Sequence, residues 1–584
     1  MLQCDVILSN TQIVDVFRLR TYKGWVGIRG GSFVYVEEGE PPSSLPATQR
    51  RELEREYLVP GFIDSHMHIE SSLLTPRRFA EAVLPHGTTT VLADPHEVAN
   101  AGGSAGVEWF LEACRDLPLD VRIALPSCVP ATSLDLEWVR EPFGADTVKL
   151  FQSYPEIIAL GEVMDYRHLM NRTELVGMIQ QARRAGYLIE GHVPTLRGTA
   201  LSEYISFGIG SDHTLSTPEK LLEQLSKGLT VMLQAKSLCP EVVGMVQSLK
   251  DRSRILLVTD DMEPSLLREG HLNTILRLAV ASGMDPLEAV ASATTRPARY
   301  LGLERGLRKK GAVAPGYEAD FLILEDLESF SPREVWVRGE LIAQDGNYMG
   351  PVLPPLQVQS HASRGGPFSF SAPFSIRKTF TFQDFTLKDL PDGKKVVHVL
   401  CLMDHRTSLT QAQPIPVEFS RGFPLWKAEV ALGSVVSVIS RNGEHRSFAL
   451  VGNLGMSQGA FASSFSHDSH NLLVVGREPG LMASVANRVV EEGGGIAFDD
   501  GEGTDLFLPL PVWGILSDAP MEVVARDLQH IEHTLRRLGI QHQRPFLLLS
   551  LLSLSVSPYA KVTDRGLVDT EKRQLLPLFP EGDP

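Results

Sequence analysis

His66 and His68 stand one residue apart in "PGFIDSHMHIESS", directly after a short apolar run. Residues i and i+2 of a strand share a face, so the two imidazoles point the same way from one strand end. That arrangement suits a metal. Further candidate ligands follow in order, each after a strand-like run. Glu162 follows "EIIAL" in "LGEVMD", His192 follows "YLIE" in "EGHVP", His213 follows "GIG" in "SDHT", and Asp260 follows "ILLV" in "VTDD". Four imidazoles and two carboxylates form a mixed N/O set that suits Mn²⁺, Fe²⁺ or Zn²⁺. Six such ligands can hold two metals bridged by a carboxylate.

The elements that must position these residues begin at Pro60. From there, apolar strand-like runs ("TTTVLAD", "VRIALPS", "YLIEGHVP", "RILLVTDD") alternate with helix-like segments. Thr75-Pro76 and Thr217-Pro218 each place an N-cap residue before a proline at the first helical position. Asp285-Pro286 opens a third helix, with Glu288 spaced as in a capping box. Strand–helix alternation over roughly 250 residues predicts an α/β fold, a (β/α)8 TIM barrel with its site at the strand ends.

The flanks have another texture. Residues 1–59 and 312–350 read as short strands with turns, and the two segments are expected to pair into a small β domain around a barrel spanning 60–311. Residues 350–375 are rich in Pro, Ser and Gly and read as a linker. A C-terminal α+β domain is expected over 376–584. It includes the helix "MEVVARDLQHIEHTLRRLG", whose His530 and His533 read as surface positions.

Composition narrows the function. The chain has 584 residues, enough for several domains, and a formal net charge of −16, which disfavours binding to a phosphate backbone. The five cysteines are scattered without a C-x-x-C pair, which argues against a disulfide framework and a thiolate zinc site and fits a reducing cytoplasm. No signal peptide or membrane span is read. The absence of P-C-x-x-C also argues against a zinc deaminase of the H-x-E type.

"PGFIDSHMHIESS", "VLPHGTTTVLADPHEVAN", "LPSCVPAT", "LGEVM", "EGHVP", "SDH" and "VTDD" together resemble the adenine deaminases of the amidohydrolase superfamily. "GAVAPGYEADFLIL" resembles that superfamily's return to its small β domain. "FASSFSHDSHNLLVVG", "NRVVEEGGGI" and "LPLPVWGILSD" resemble the C-terminal domain peculiar to the adenine deaminases. The resemblance implies a binuclear divalent site, with Mn²⁺ or Fe²⁺ ahead of Zn²⁺. His66, His68 and Asp260 would hold one metal, His192 and His213 the other, and Glu162 would bridge them. A carboxylated Lys149, in "DTVKLF", is the rival bridge.

The implied reaction is hydrolytic deamination of adenine to hypoxanthine and ammonia by a metal-activated hydroxide. Asp260 would accept the hydroxide's proton and pass one to the leaving amine. Glu97, a candidate catalytic residue, His96 or His271 could protonate the ring, and His96, Asp261 and His271 are expected to bind substrate. "DPHE" also reads as a simple turn and helix start. A small purine partner and a homodimer are expected, with no nucleic acid and no membrane. His467, Asp468 and His470 in "SHDSHN" could bind metal, cap the barrel mouth or order a loop.

Some positions depart from the family. Thr214 stands where "SDHE" has its acid, Met262 and Glu263 replace the basic pair of "TDDRHP", and "VMLQAKSLCP" lacks an Arg-Glu-Gly-Ser run. These changes keep a second substrate open: another aminopurine, or a cyclic amide or amine.

Overall fold

The computed structural model describes residues 2–353, 374–425 and 433–580; most of the expected linker lies outside the described residues. Five strands open the chain: β1 (Cys4–Asp15), β2 (Arg20–Arg29), β3 (Ser32–Glu38), β4 (Ala47–Glu52) and β5 (Tyr57–Pro60). They join four that follow the central region, β15 (Phe321–Leu324), β16 (Pro332–Val337), β17 (Glu340–Gln344) and β18 (Asn347–Tyr348), in one nine-stranded sheet. The seam is β5 against β15, with Leu58 opposite Ile323.

Between these segments lie parallel strands and helices. β6 (Phe62–His68), β7 (Thr88–Ala93), β8 (Asp120–Leu125), β9 (Ile157–Val163) and β10 (Leu188–Gly191) pair in sequence order. β11 (Ser211–Asp212), β12 (Thr230–Leu233) and β13 (Ile255–Leu257) form a second parallel sheet. β14 (Asp260–Asp261) follows β13 and returns to β6, pairing Asp260 with Met67. Between the two sheets, Gly210 N donates to Ile189 O at 2.9 Å and Gly191 N to Ser211 Oγ at 3.2 Å. The strands are buried along almost their whole length, as expected when helices cover parallel strands.

Local signals decide the helix starts. The Thr217 side chain accepts from Lys220 N, and that of Asp285 accepts from Leu287 N and Glu288 N. Glu288 does not complete a capping box; its carboxylate takes Arg252 and Arg296. Thr75 precedes the helix Pro76–Val83 but leaves the cap open, because its hydroxyl donates to Asp518 at 2.7 Å.

That contact belongs to a broad junction. The C-terminal part holds a nine-stranded sheet with the helix Pro479–Glu491, the helix Met521–Arg537 and a three-stranded sheet. Met67, Phe79, Phe110 and Val163 share one buried apolar core with Phe461, Trp513, Leu528 and Phe546. Arg77 donates to both carboxylate oxygens of Asp518, and Ser517 N donates to Leu73 O at 2.7 Å. His530 and His533 are exposed, as their helical spacing predicts.

Lys561 lies buried in the strand Ala560–Thr563, with Nζ donating to Ser408 O at 2.8 Å. Burial pushes its pKa down to about 7, against ~10.4 for an unperturbed lysine. Between those values the unfolded chain holds a proton that the folded chain lacks, so stability rises with pH across the window. Lys561→Met should therefore stabilise the protein near pH 7 by on the order of a few kcal/mol and flatten the slope from pH 7 to 10. Urea unfolding at several pH values tests this; an unchanged slope refutes it.

Candidate metal centre

The six expected ligands meet at one end of the parallel strands. β6 ends on His66 and His68, β9 carries Glu162, and β14 begins with Asp260. His192 and His213 follow directly after β10 and β11. Donor atoms of His66, His68 and Glu162 lie within 4.8 Å of one another, as do those of Glu162, His192 and His213 and those of His66, His213 and Asp260.

Glu162 faces both ways. Its Oε1 is 3.3 Å from His68 Nε2, while its Oε2 is 2.6 Å from His192 Nδ1 and 3.3 Å from His213 Nε2. Asp260 Oδ1 lies 3.7 Å from His66 Nε2 and 3.5 Å from His68 Nε2. Burial opposes charge on Glu162, yet His192 and His213 hold its carboxyl well below the usual range. Asp260 is likewise held low against burial, chiefly by His213 and His68. Its φ of +62° is uncommon outside glycine and marks a conformation that the surroundings impose.

The donor set fits a metal pair. His66 and His213 stack with ring centroids 3.8 Å apart, and His66 Nε2 and His213 Nδ1 are buried without a hydrogen bond. Buried polar atoms are seldom left so. His68 Nδ1 meets Asp94 O at 3.1 Å; a carbonyl only accepts, so Nδ1 carries the proton and Nε2 is bare for ligation.

Several supports escape a motif reading. Asp94 Oδ2 accepts from Glu162 N at 3.0 Å, a close approach that requires Gly161, where an added Cβ would sit 2.2 Å from that oxygen. Asp212 accepts from Val193 N, Gln224 and Lys220, tying the loop after His192 to His213. Thr214 joins this network through Asp212 and Lys220, so it holds Asp212 rather than facing substrate. Gln234 Nε2 donates to Asp260 Oδ2 and His213 O. The adjacency of Asp212 to His213 was the one available signal; the others act across distances no short motif spans.

The remaining candidates separate. His96 lies one ring from the ligands, its centroid 4.6 Å from that of His68. Asp261 is exposed and accepts from Ser71 at 2.5 Å. Glu263 is buried with no hydrogen bond to either oxygen; its ion-pair partner Arg544 is 3.8 Å away. Met262 is buried in the apolar core. His271 is not a substrate group. It is fully buried between Thr88 and Thr259, and burial pushes its pKa down to about 3. Lys149 is no bridge either, since its ammonium is exposed on a helix and paired with Asp146. Glu97 is no acid. Burial opposes its charge, but His467, His470 and His96 hold the carboxyl well below the usual range.

Two family models match the chain: the amidohydrolase family over residues 57–342 and the adenine deaminase C-terminal domain over 409–574. An adenine deaminase of Desulfatibacillum aliphaticivorans is 34% identical over 99% of this chain and 97% of that protein. One from Nitratidesulfovibrio vulgaris is 36% identical over 97% and 95%. The chain belongs to the adenine deaminase family of the amidohydrolases. A solved adenine deaminase structure is similar at a TM-score of 0.44 and 18% identity, covering 58% of this chain and 99% of that one. Membership makes this amidohydrolase a hydrolase acting on a C–N bond and implies a divalent metal. Among the described residues no helix is long and apolar enough to cross a membrane.

Proposed function

We propose that the protein hydrolyses adenine to hypoxanthine and ammonia at a binuclear centre of Mn²⁺ or Fe²⁺. The observation that carries this reading is Glu162, with one oxygen toward His68 and the other toward His192 and His213. In this reading His66, His68 and Asp260 would hold one metal and His192 and His213 the second, with Glu162 as the carboxylate shared between them. Metal bound there lowers the pKa of water and makes it a nucleophile at neutral pH.

The chain's own groups do the rest. Gln234 fixes Asp260 Oδ2, which leaves Oδ1, beside His66 and His68, to accept the proton of the attacking water and return one to the departing amine. His96 offers an unbonded Nδ1 to the substrate beside His68, and Asp261 lies at the exposed rim. The parallel strands β6 to β14 support a (β/α)8 barrel over 60–311, with a β domain from 1–59 and 312–350 and a C-terminal domain over 376–584. The five free thiols are compatible with the reducing cytoplasm.

The buried, unbonded carboxyl of Glu263 favours a second reading, in which a different aminopurine is the substrate. Ammonia release from a panel of purines and pyrimidines tests both. Fastest turnover of adenine supports the first; adenine inert beside another active aminopurine overturns it in favour of the second.

A further inference from the structure

Unsatisfied buried atoms gather at a second place, one ring beyond the metal ligands. Glu97 Oε1, Asp468 Oδ2 and Asp94 Oδ1 are all buried, and none accepts a hydrogen bond. His96 links them: its Nε2 is 3.5 Å from Glu97 Oε1 and 3.8 Å from Asp468 Oδ1, and its Nδ1 is 3.8 Å from Asp94 Oδ1. Three carboxylates around one ring call for a ligand that donates.

Glu97 is held there from outside the barrel region. Ser466 N donates to His470 Nδ1 at 3.1 Å, so the ring's proton sits on Nε2, which donates to Glu97 Oε2. His467 Nδ1 is 2.8 Å from Glu97 Oε1, an ion-pair contact without hydrogen-bond alignment. The carboxylate is therefore charged and fixed, and one oxygen still seeks an aligned donor. In its 9H form a 6-aminopurine carries its amino group and its imidazole N–H at opposite ends. With the amino group at the metal pair, the N–H falls toward this cluster.

We propose that Glu97 and Asp468, one from each half of the chain, form the acceptor end of the substrate pocket and take the imidazole N–H of a purine, with His467 and His470 as positioning residues for Glu97. The site then accepts the free base and rejects purines alkylated or glycosylated on the imidazole ring, because their bulk and missing N–H leave the buried carboxylates unpaired. This rests on the deaminase reading above.

The test compares adenine with 7-methyladenine, 9-methyladenine and adenosine on the metal-loaded enzyme. Wild type should favour adenine over each by ~10⁴-fold or more in kcat/KM, the discrimination expected of a site built around a hydrogen bond. Glu97→Gln and Asp468→Asn should raise KM for adenine at least tenfold, lower kcat less, and narrow that discrimination, with metal content unchanged. His470→Gln should produce the same pattern more weakly.

Turnover of 9-methyladenine within tenfold of adenine overturns the proposal, and that arm needs no variant. So does loss of a bound cation from Asp468→Asn with discrimination intact, which makes the cluster a metal site. If wild type leaves adenine itself untouched, the deaminase reading fails instead.

Discussion

Glu162→Gln and Asp260→Asn should each lower turnover by at least ~10³-fold, because metal activation of water is worth several kcal/mol and each ~1.4 kcal/mol is a factor of ten. The two losses should differ in kind. Glu162 reaches His68 with one oxygen and His192 and His213 with the other, so its amide unsettles both metal positions. Elemental analysis should find about two metal equivalents in wild type and fewer than one in Glu162→Gln. Asp260 contributes one oxygen beside His66 and His68 while Gln234 holds the other, so Asp260→Asn should retain more metal and lose the proton transfer. Wild-type turnover that survives complete chelation would falsify the mechanism.

Ending the chain at residue 350 should remove the soluble fold as well as the activity, although all six ligands remain. Met67, Phe79, Phe110 and Val163 pack in one core with Phe461, Trp513, Leu528 and Phe546, so the truncation bares a large apolar face. A subtler probe is Arg77→Met. It leaves the Asp518 carboxylate, about one-fifth exposed, with the Thr75 hydroxyl but no countercharge, and should cost ~3 kcal/mol, the low end for breaking a buried pair. A truncated chain that stays soluble, cooperative and metal-loaded would show that the two parts fold independently.

The ligand set was legible because each member obeys a local rule: His66 and His68 share a strand face, and the other four sit at later strand ends. Helix starts at Thr217 and Asp285 were legible for the same reason. What failed depended on partners far along the chain. Thr75 has a cap's composition, but Asp518, 443 residues away, takes its hydroxyl. "EGH" offered His271 as a substrate group, and only the packing around Thr88 and Thr259 reveals it as interior. For Glu97 the sequence does not reveal its partners His467 and His470, which lie 370 or more residues away. Thr214 and Met262 stood out as departures beside ligands, yet one serves a buried network and the other the core.

Gly161 carries a last implication. The space its missing side chain leaves is filled by the carboxylate that accepts from Glu162 N, and the carbonyl of that same Asp94 sets the ring of His68. An alanine there would push on one residue and disturb the bridge and a terminal ligand together. The chain can drift at Glu263 and retune what it accepts. At Gly161 drift leads only to inactivity, so mutational scanning should find that position as intolerant as the ligands, though it touches no metal and no substrate.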